Sequence, residues 1–301
     1  MTQPVLAHVN CPDTHGGHRM AYVQWGDALA PHVVVCVHGL TRQGRDFDTL
    51  AQALVAAAQQ PVRVICPDVV GRGLSDWLPD PAAYQIPQYA SDMAVLLAHL
   101  HSQAPMQILD WVGTSMGGLI GMVVAGSPDL PKPCPLRRLV LNDVGPVVSW
   151  TAIERMKNYV GQTGSFANLQ EAADAMWAVS QSFGPHTPEV WRALSAPMVK
   201  TLPDGRLNLH YDPALGESLR AVTPESTVVA EQVLWHLYDQ ITTPTLLLRG
   251  AQSDLLTLQT AHAMQARGPQ AQMVEFEGVG HAPTLTSHDQ VQVVADFLLK
   301  V

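Results

Sequence analysis

Basic residues are in short supply: 17 Lys and Arg stand against 26 Asp and Glu, for a formal charge of -9. No broad cationic field exists to attract a phosphate backbone or an anionic membrane surface, so nucleic acid and membrane are set aside as partners. Cysteine is sparse as well. The four present include no CxxC pair; Cys36 and Cys66 lie in apolar strand-like runs, Cys11 and Cys134 in proline-flanked loops. That distribution reads as reduced thiols rather than a disulfide framework. No uninterrupted apolar run approaches membrane-spanning length, and the amino terminus has no basic start followed by an apolar block. The expectation is a soluble, unexported, cytoplasmic protein. Internal repeats, low-complexity tracts and long charge runs are absent too.

What is present is apolar substance. The chain has 301 residues, 47% of them hydrophobic, enough for a large α/β domain or a core with an insert. Residues 1–26 read as an antiparallel hairpin. From "HVVVCVHGL" onward, short apolar strands alternate with helical spacings: "RDFDTLAQALVAAAQQ", "VRVICPDVV", a helix over 89–103, "MQILDWV", a helix over 115–125 and "LRRLVLND". The rhythm resumes with "TPTLLLRG", a helix over 258–266, "AQMVEFEG" and a final helix. Continuous apolar strands between helices predict a parallel sheet covered on both faces. Between Pro146 and about Asp239 the rhythm lapses into helical segments without a buried strand. The reading is a core of 1–145 and 240–301 carrying a helical cap insert of 146–239.

One stretch carries chemistry. "GTSMGG" places Ser115 between the strand-like "ILDWV" and the helix-like "MGGLIGMVVA". A Gly-x-Ser-x-Gly match alone has little weight, but strand, turn and helix are the context of a nucleophile elbow. Gly113 and Gly117 remove side chains that would collide in so sharp a turn. A serine hydroxyl is a weak nucleophile and needs a base, itself oriented by a third group. His281 stands in "GVGHAP" beyond the last strand, and Asp254 in "LRGAQSDLL" after the strand before it. In a parallel sheet all carboxyl ends meet at one edge, so Ser115, Asp254 and His281 can converge. Asp143 in "LVLNDVGP" also ends a strand and is the alternative acid; Asp254 ranks first on the character of its loop. "VHGLT" after the first parallel strand offers the Leu40 N–H as an oxyanion donor beside that of Met116, with Gly39 permitting close approach. His38 reads as a brace for this loop.

The ordered set "VHGLT", "PDVVGRGLSD", "GTSMGG", "LRGAQSDLL" and "GVGHAP" resembles the α/β-hydrolase superfamily, in its serine-nucleophile branch with a helical cap, over nearly the whole chain. The resemblance implies an eight-stranded, mostly parallel sheet flanked by helices, a covalent acyl-enzyme, and neither metal nor organic cofactor. It implies a carboxylesterase-like enzyme acting on a small or medium apolar ester. Lactone, thioester and carbon–carbon substrates remain open on the same triad, as does a ligand-binding receptor with little turnover. Serine at position 115 argues against the dehalogenase and epoxide-hydrolase branches, which attack with a carboxylate. Asp68, Arg72 and Asp76 read as loop organisers. In the cap, Trp177, Trp191, Met156 and Met198 are packing residues first and acyl-pocket candidates second, while Arg155 and Lys157 read as a solvated face.

Overall fold

The computed structural model describes residues 3–162 and 164–300; the outer limits assigned to the core, 1 and 301, lie outside them. Eight strands form one sheet: β1 (Val5–Cys11), β2 (His18–Gly26), β3 (His32–Val37), β4 (Val62–Pro67), β5 (Ile108–Thr114), β6 (Leu136–Asn142), β10 (Thr245–Gly250) and β11 (Gln272–Phe276). Their spatial order is β1-β2-β4-β3-β5-β6-β10-β11. The β1–β2 and β2–β4 pairs are antiparallel, and every pair from β4 to β11 is parallel. This is the α/β-hydrolase sheet that the motifs predict.

The central strands are buried on both faces, and alternate residues sort cleanly between two cores. Val33, Val35 and Val37 of β3 and Trp111 of β5 face one side. There they meet α2 (Ile86–Gln103) through Met93 and Leu96, and α3 (Met116–Gly126) through Ile120 and Val124. Val34 and Cys36 face the other side with Val64, Cys66 and Val112. Leu50 and Leu54 of α1 (Asp48–Ala57) and Val294 and Leu298 of α10 (His288–Leu299) cover them. All four cysteines are free thiols, with Cys36 and Cys66 serving as small buried apolar groups.

Between β6 and β10 lie α4 (Trp150–Lys157), α5 (Leu169–Ser180), α6 (Pro188–Ser195), α7 (Leu215–Arg220) and α8 (Pro224–Gln240). Sequence reasoning places no strand here, yet three short ones, β7 (Ser165–Phe166), β8 (Val199–Thr201) and β9 (Leu207–Leu209), form a separate antiparallel sheet in the order β7-β9-β8. Caps define the helices: Asn168 accepts from Glu171 N–H for α5, and Thr187 accepts from Val190 N–H with Pro188 in the first turn of α6. Helix α8, assigned to the insert by sequence, packs on the core instead. Leu237 lies against Gly126 of α3, where any Cβ would come within 2.2 Å of its carbonyl oxygen, and Tyr238 donates its hydroxyl to Met264 O at 2.8 Å. The part of this segment before α8 meets the core through backbone: Gly73 N–H donates to His210 O and Asp212 N–H to Gly71 O, each at 2.8 Å. Among the described residues, no helix is long and apolar enough to cross a membrane.

Candidate active site

The carboxyl ends of the parallel strands converge at one sheet edge, and the chemistry gathers there. Ser115 follows β5 directly and precedes the first residue of α3, with φ 51° and ψ −116°. A non-glycine residue in this region is strained, and such strain concentrates at functional sites. Two glycines make it attainable: a Cβ on Gly113 would lie 2.2 Å from Gly117 O, and one on Gly117 would lie 1.9 Å from Val37 O. The sharp turn leaves the Ser115 hydroxyl presented to His281, whose Nε2 lies 2.9 Å from Oγ.

The other imidazole nitrogen meets Asp143, the alternative acid, and not Asp254. His281 Nδ1 lies 2.7 Å from Oδ2 of Asp143, which is fully buried at the end of β6. The same carboxylate accepts Gly250 N–H at 2.9 Å on Oδ1 and the Ser253 hydroxyl at 2.6 Å on Oδ2. The "GAQSD" loop therefore touches the Asp143 carboxylate through Gly250 and Ser253, which hold it in place. Asp254 itself turns to the cap and meets Arg155 bidentately, Oδ2 to Nε at 2.8 Å and Oδ1 to Nη2 at 3.0 Å. The β6–β10 pairing is the physical reason. Asp143 N–H donates to Leu248 O, which brings its side chain alongside the β10 exit. Asp143 shares the positive φ, 56°, of Ser115.

Next to Ser115, Met116 N–H is at the first position of α3, where no intrahelical acceptor exists. Leu40 lines the cavity beside Ser115. His38 is wholly buried: its Nε2 accepts Val69 N–H at 2.9 Å and its Nδ1 donates to Gly39 O at 2.7 Å. Burial drives its pKa down to about 3, with Arg72 and Arg42 adding to the shift, so the ring is a neutral strut between two loops. Gly39 differs from expectation, since a Cβ there would meet Ser115 Cβ at 3.7 Å, an ordinary contact. Arg72, also fully buried, donates Nε to Leu40 O at 2.8 Å and Nη2 to Met116 Sδ at 3.3 Å. It grips both residues of the expected oxyanion pair from behind. Asp68 accepts Gly44 and Leu74 N–H at 2.8 Å, its pKa raised to about 6 by burial, and Asp76 accepts Arg19 N–H.

Ser115 and His281 open on a cavity of about 480 Å³, within the range of small-molecule sites. Its apolar wall includes Met156, Phe166, Met176, Val179, Phe183 and Met198. Of the four cap candidates, Met156 and Met198 line it. Trp177 and Trp191 pack edge to face at 5.0 Å, and Trp191 donates its indole N–H to Ala173 O. Arg155, read from sequence as solvated, is on the cavity rim, while Lys157 lies over the Trp150 ring at 4.7 Å. Sequence reasoning missed Ser182, which hydrogen-bonds the His281 carbonyl; no local pattern marks it. Away from the site, Cys11, His18 and Asp92 bring three metal-capable atoms together among the described residues. Both imidazole nitrogens of His18 are already engaged, by Asp13 and Asp92 at 3.0 Å each, which makes the cluster an ion-pair bridge.

The model of the alpha/beta hydrolase family matches residues 34–296. A 3-hydroxybutyrate-oligomer hydrolase from Cupriavidus necator is 48% identical over 297 residues, spanning 98% of this chain and 97% of that protein. The crystal structure of an alpha/beta hydrolase from Novosphingobium aromaticivorans is similar with a TM-score of 0.83 and 33% identity, covering 100% of both chains.

Proposed function

This chain belongs to the alpha/beta hydrolase family, and from that premise we propose that it hydrolyses short oligoesters of a 3-hydroxy acid through an acyl-enzyme on Ser115. The observation that carries the reading is the His281 imidazole, spanning Ser115 Oγ at 2.9 Å and Asp143 Oδ2 at 2.7 Å. The substrate class is supported by the 48% identity to the Cupriavidus enzyme across almost the full length of both chains. A cavity whose wall includes Met156, Phe166, Met176, Val179, Phe183 and Met198 beside polar groups such as Arg155 and Tyr159 suits a chain of methyl-bearing ester units.

In the first half-reaction Ser115 Oγ attacks the ester carbonyl as its proton passes to His281 Nε2. The oxyanion receives the N–H groups of Leu40 and Met116, each such donor being worth about 3 kcal/mol of barrier. His281 then protonates the departing alkoxide, and the carbon–oxygen ester bond breaks. Water, deprotonated by the same nitrogen, attacks the acyl carbonyl, and His281 returns that proton to Ser115 Oγ as the acyl–oxygen bond breaks. Asp143 keeps the Nδ1–H tautomer in place and stabilises the imidazolium, while its own partners Gly250 and Ser253 keep its carboxylate oriented. Arg72 and His38 hold the donor loop in register.

The test is product analysis by mass spectrometry with 3-hydroxybutyrate dimer and trimer and with p-nitrophenyl butyrate. Wild type is expected to turn over all three many times and Ser115→Ala none of them, with circular dichroism unchanged. Cleavage of p-nitrophenyl butyrate without the oligomers would remove the substrate class and leave the mechanism; undiminished turnover by Ser115→Ala would remove both.

A further inference from the structure

Resting on that reading of the site, the cavity carries a second specificity element. Among the described residues its lining includes two arginines, Arg42 and Arg155, and no Asp or Glu, in a chain whose formal charge is -9. The two are not alike. Arg42 is committed: it forms a bidentate pair with Asp46, donates to Leu194 O, and lies over the Phe183 ring, with only 12% of its side chain exposed. Arg155 is half-open, its side chain 37% exposed and that of its partner Asp254 44%. It belongs to the cap helix α4, next to Met156 in the cavity wall.

Every linear oligoester of a hydroxy acid ends in one free carboxylate. In a dimer that carboxylate is on the alcohol half, the part that leaves when the acyl-enzyme forms. We propose that Arg155 is the subsite that recognises this terminal carboxylate, and that Asp254 holds the same fork when substrate is absent. The bidentate geometry with Asp254 shows the guanidinium already presenting two N–H groups to a carboxylate at 2.8 and 3.0 Å. Replacing one carboxylate by another keeps both charge-assisted bonds, so the exchange costs little beyond releasing a half-exposed loop side chain. Tyr159, four residues on, lines the same cavity. Burial holds its phenol protonated, and so a donor. Because the charge departs with the alcohol product, Arg155 acts on acylation and not on water attack.

A purely structural cap-to-core tie and a carboxylate subsite make opposite demands on the two partners. Breaking a tie from either end is equivalent; freeing the fork by removing Asp254 is the reverse of removing the fork. The experiment compares 3-hydroxybutyrate dimer with its methyl ester in wild type, Arg155→Gln, Arg155→Lys and Asp254→Asn, with thermal melts confirming folding. Wild type should favour the free acid. Arg155→Gln should lower the acid-over-methyl-ester ratio of kcat/KM by about tenfold or more, mainly through KM, as expected for loss of charged hydrogen bonds. Arg155→Lys should fall between, and Asp254→Asn should lower KM for the acid. The proposal is overturned if wild type does not distinguish acid from methyl ester, or if Arg155→Gln and Asp254→Asn change both substrates alike. p-Nitrophenyl butyrate run alongside, with Ser115→Ala as control, keeps failure of this subsite distinct from failure of the hydrolase reading.

Discussion

Ser182, in a one-turn helix of the cap, donates its hydroxyl to the His281 carbonyl at 2.8 Å, while its own carbonyl accepts Gly280 N–H at 2.6 Å. Two successive residues of the histidine loop are thus held by one residue of the segment between β6 and β10. Packing of that segment and placement of the His281 loop are one structural event. Ser182→Ala deletes the side-chain bond and leaves the backbone one. A net hydrogen bond is worth about 1 kcal/mol, so kcat should fall roughly fivefold. Ser182→Thr, which keeps the hydroxyl, should restore most of it. Steady-state kinetics on p-nitrophenyl butyrate decides this, and an unchanged kcat for Ser182→Ala would mean that the loop holds the histidine unaided.

Asp143 and Asp254 are a sharper pair. Asp143→Asn keeps the shape of the side chain but removes the carboxylate facing His281 Nδ1. The imidazole then settles in the wrong tautomer, a loss on the order of a thousandfold or more in kcat. Asp254→Asn breaks only the half-exposed contact with Arg155 and should leave kcat on p-nitrophenyl butyrate within a few-fold of wild type, since exposed pairs are worth about 1 kcal/mol or less. Single-turnover measurements on both variants test the assignment, and a larger loss at position 254 would reverse it.

The confusion between those aspartates marks where one-dimensional reading ends. Both follow an apolar strand, and both strands end at the same sheet edge. Which carboxylate reaches His281 is decided by the β6–β10 register and by a positive φ at Asp143, properties of strand pairing that no local pattern encodes. The loops that bring Ser115 and His281 together carry local signals: glycines around a turn, a strand before and, for the serine, a helix after. The cap strands escaped for another reason. Three strands of two or three residues are too short to display a period of two, so "LPDGRL" reads as a turn without its flanking partners, although β8 and β9 pair across it. Arg155 looks solvated on its own helix, and only the fold brings it to Asp254.

His18 gives a prediction in pH. Its ring bridges Asp13 and Asp92 and ties the β1–β2 turn to α2, beside the buried Cys11 thiol and with Gln88 on the other oxygen of Asp92. Burial alone lowers its pKa, but the hydrogen bonds and charges of Asp92 and then Asp13 outweigh it, and the net shift is upward. A raised folded pKa means that the folded state holds the proton more tightly. The stabilisation is complete below the unfolded value of about 6.5 and is lost as pH rises through the folded value. Thermal melts of wild type and His18→Asn across pH 6 to 9 should therefore differ most at the acid end and converge with rising pH. A gap that widens instead would show that His18 is held neutral.

The glycines of the site divide into two kinds, and stability measurements separate them. At Gly117 a Cβ would lie 1.9 Å from Val37 O and 3.0 Å from His38 O, both backbone atoms of the strand and loop that carry the expected oxyanion donor. Neither atom can move without shifting the end of β3, so Gly117→Ala forces the elbow away from the sheet. Overpacking of this kind costs about 1–3 kcal/mol, and the displaced Ser115 loses activity with it. At Gly39 the nearest atom to a Cβ is Ser115 Cβ at 3.7 Å, so Gly39→Ala should fold with a melting temperature close to that of wild type. Its new methyl stands next to Ser115 in the cavity lining, and the cost should appear in KM for ester rather than in stability. Melting temperatures and kinetic constants for the two variants provide the check. A destabilised Gly39→Ala would mean that the loop needs glycine for its backbone, and a stable, active Gly117→Ala would mean that the elbow is looser than its contacts.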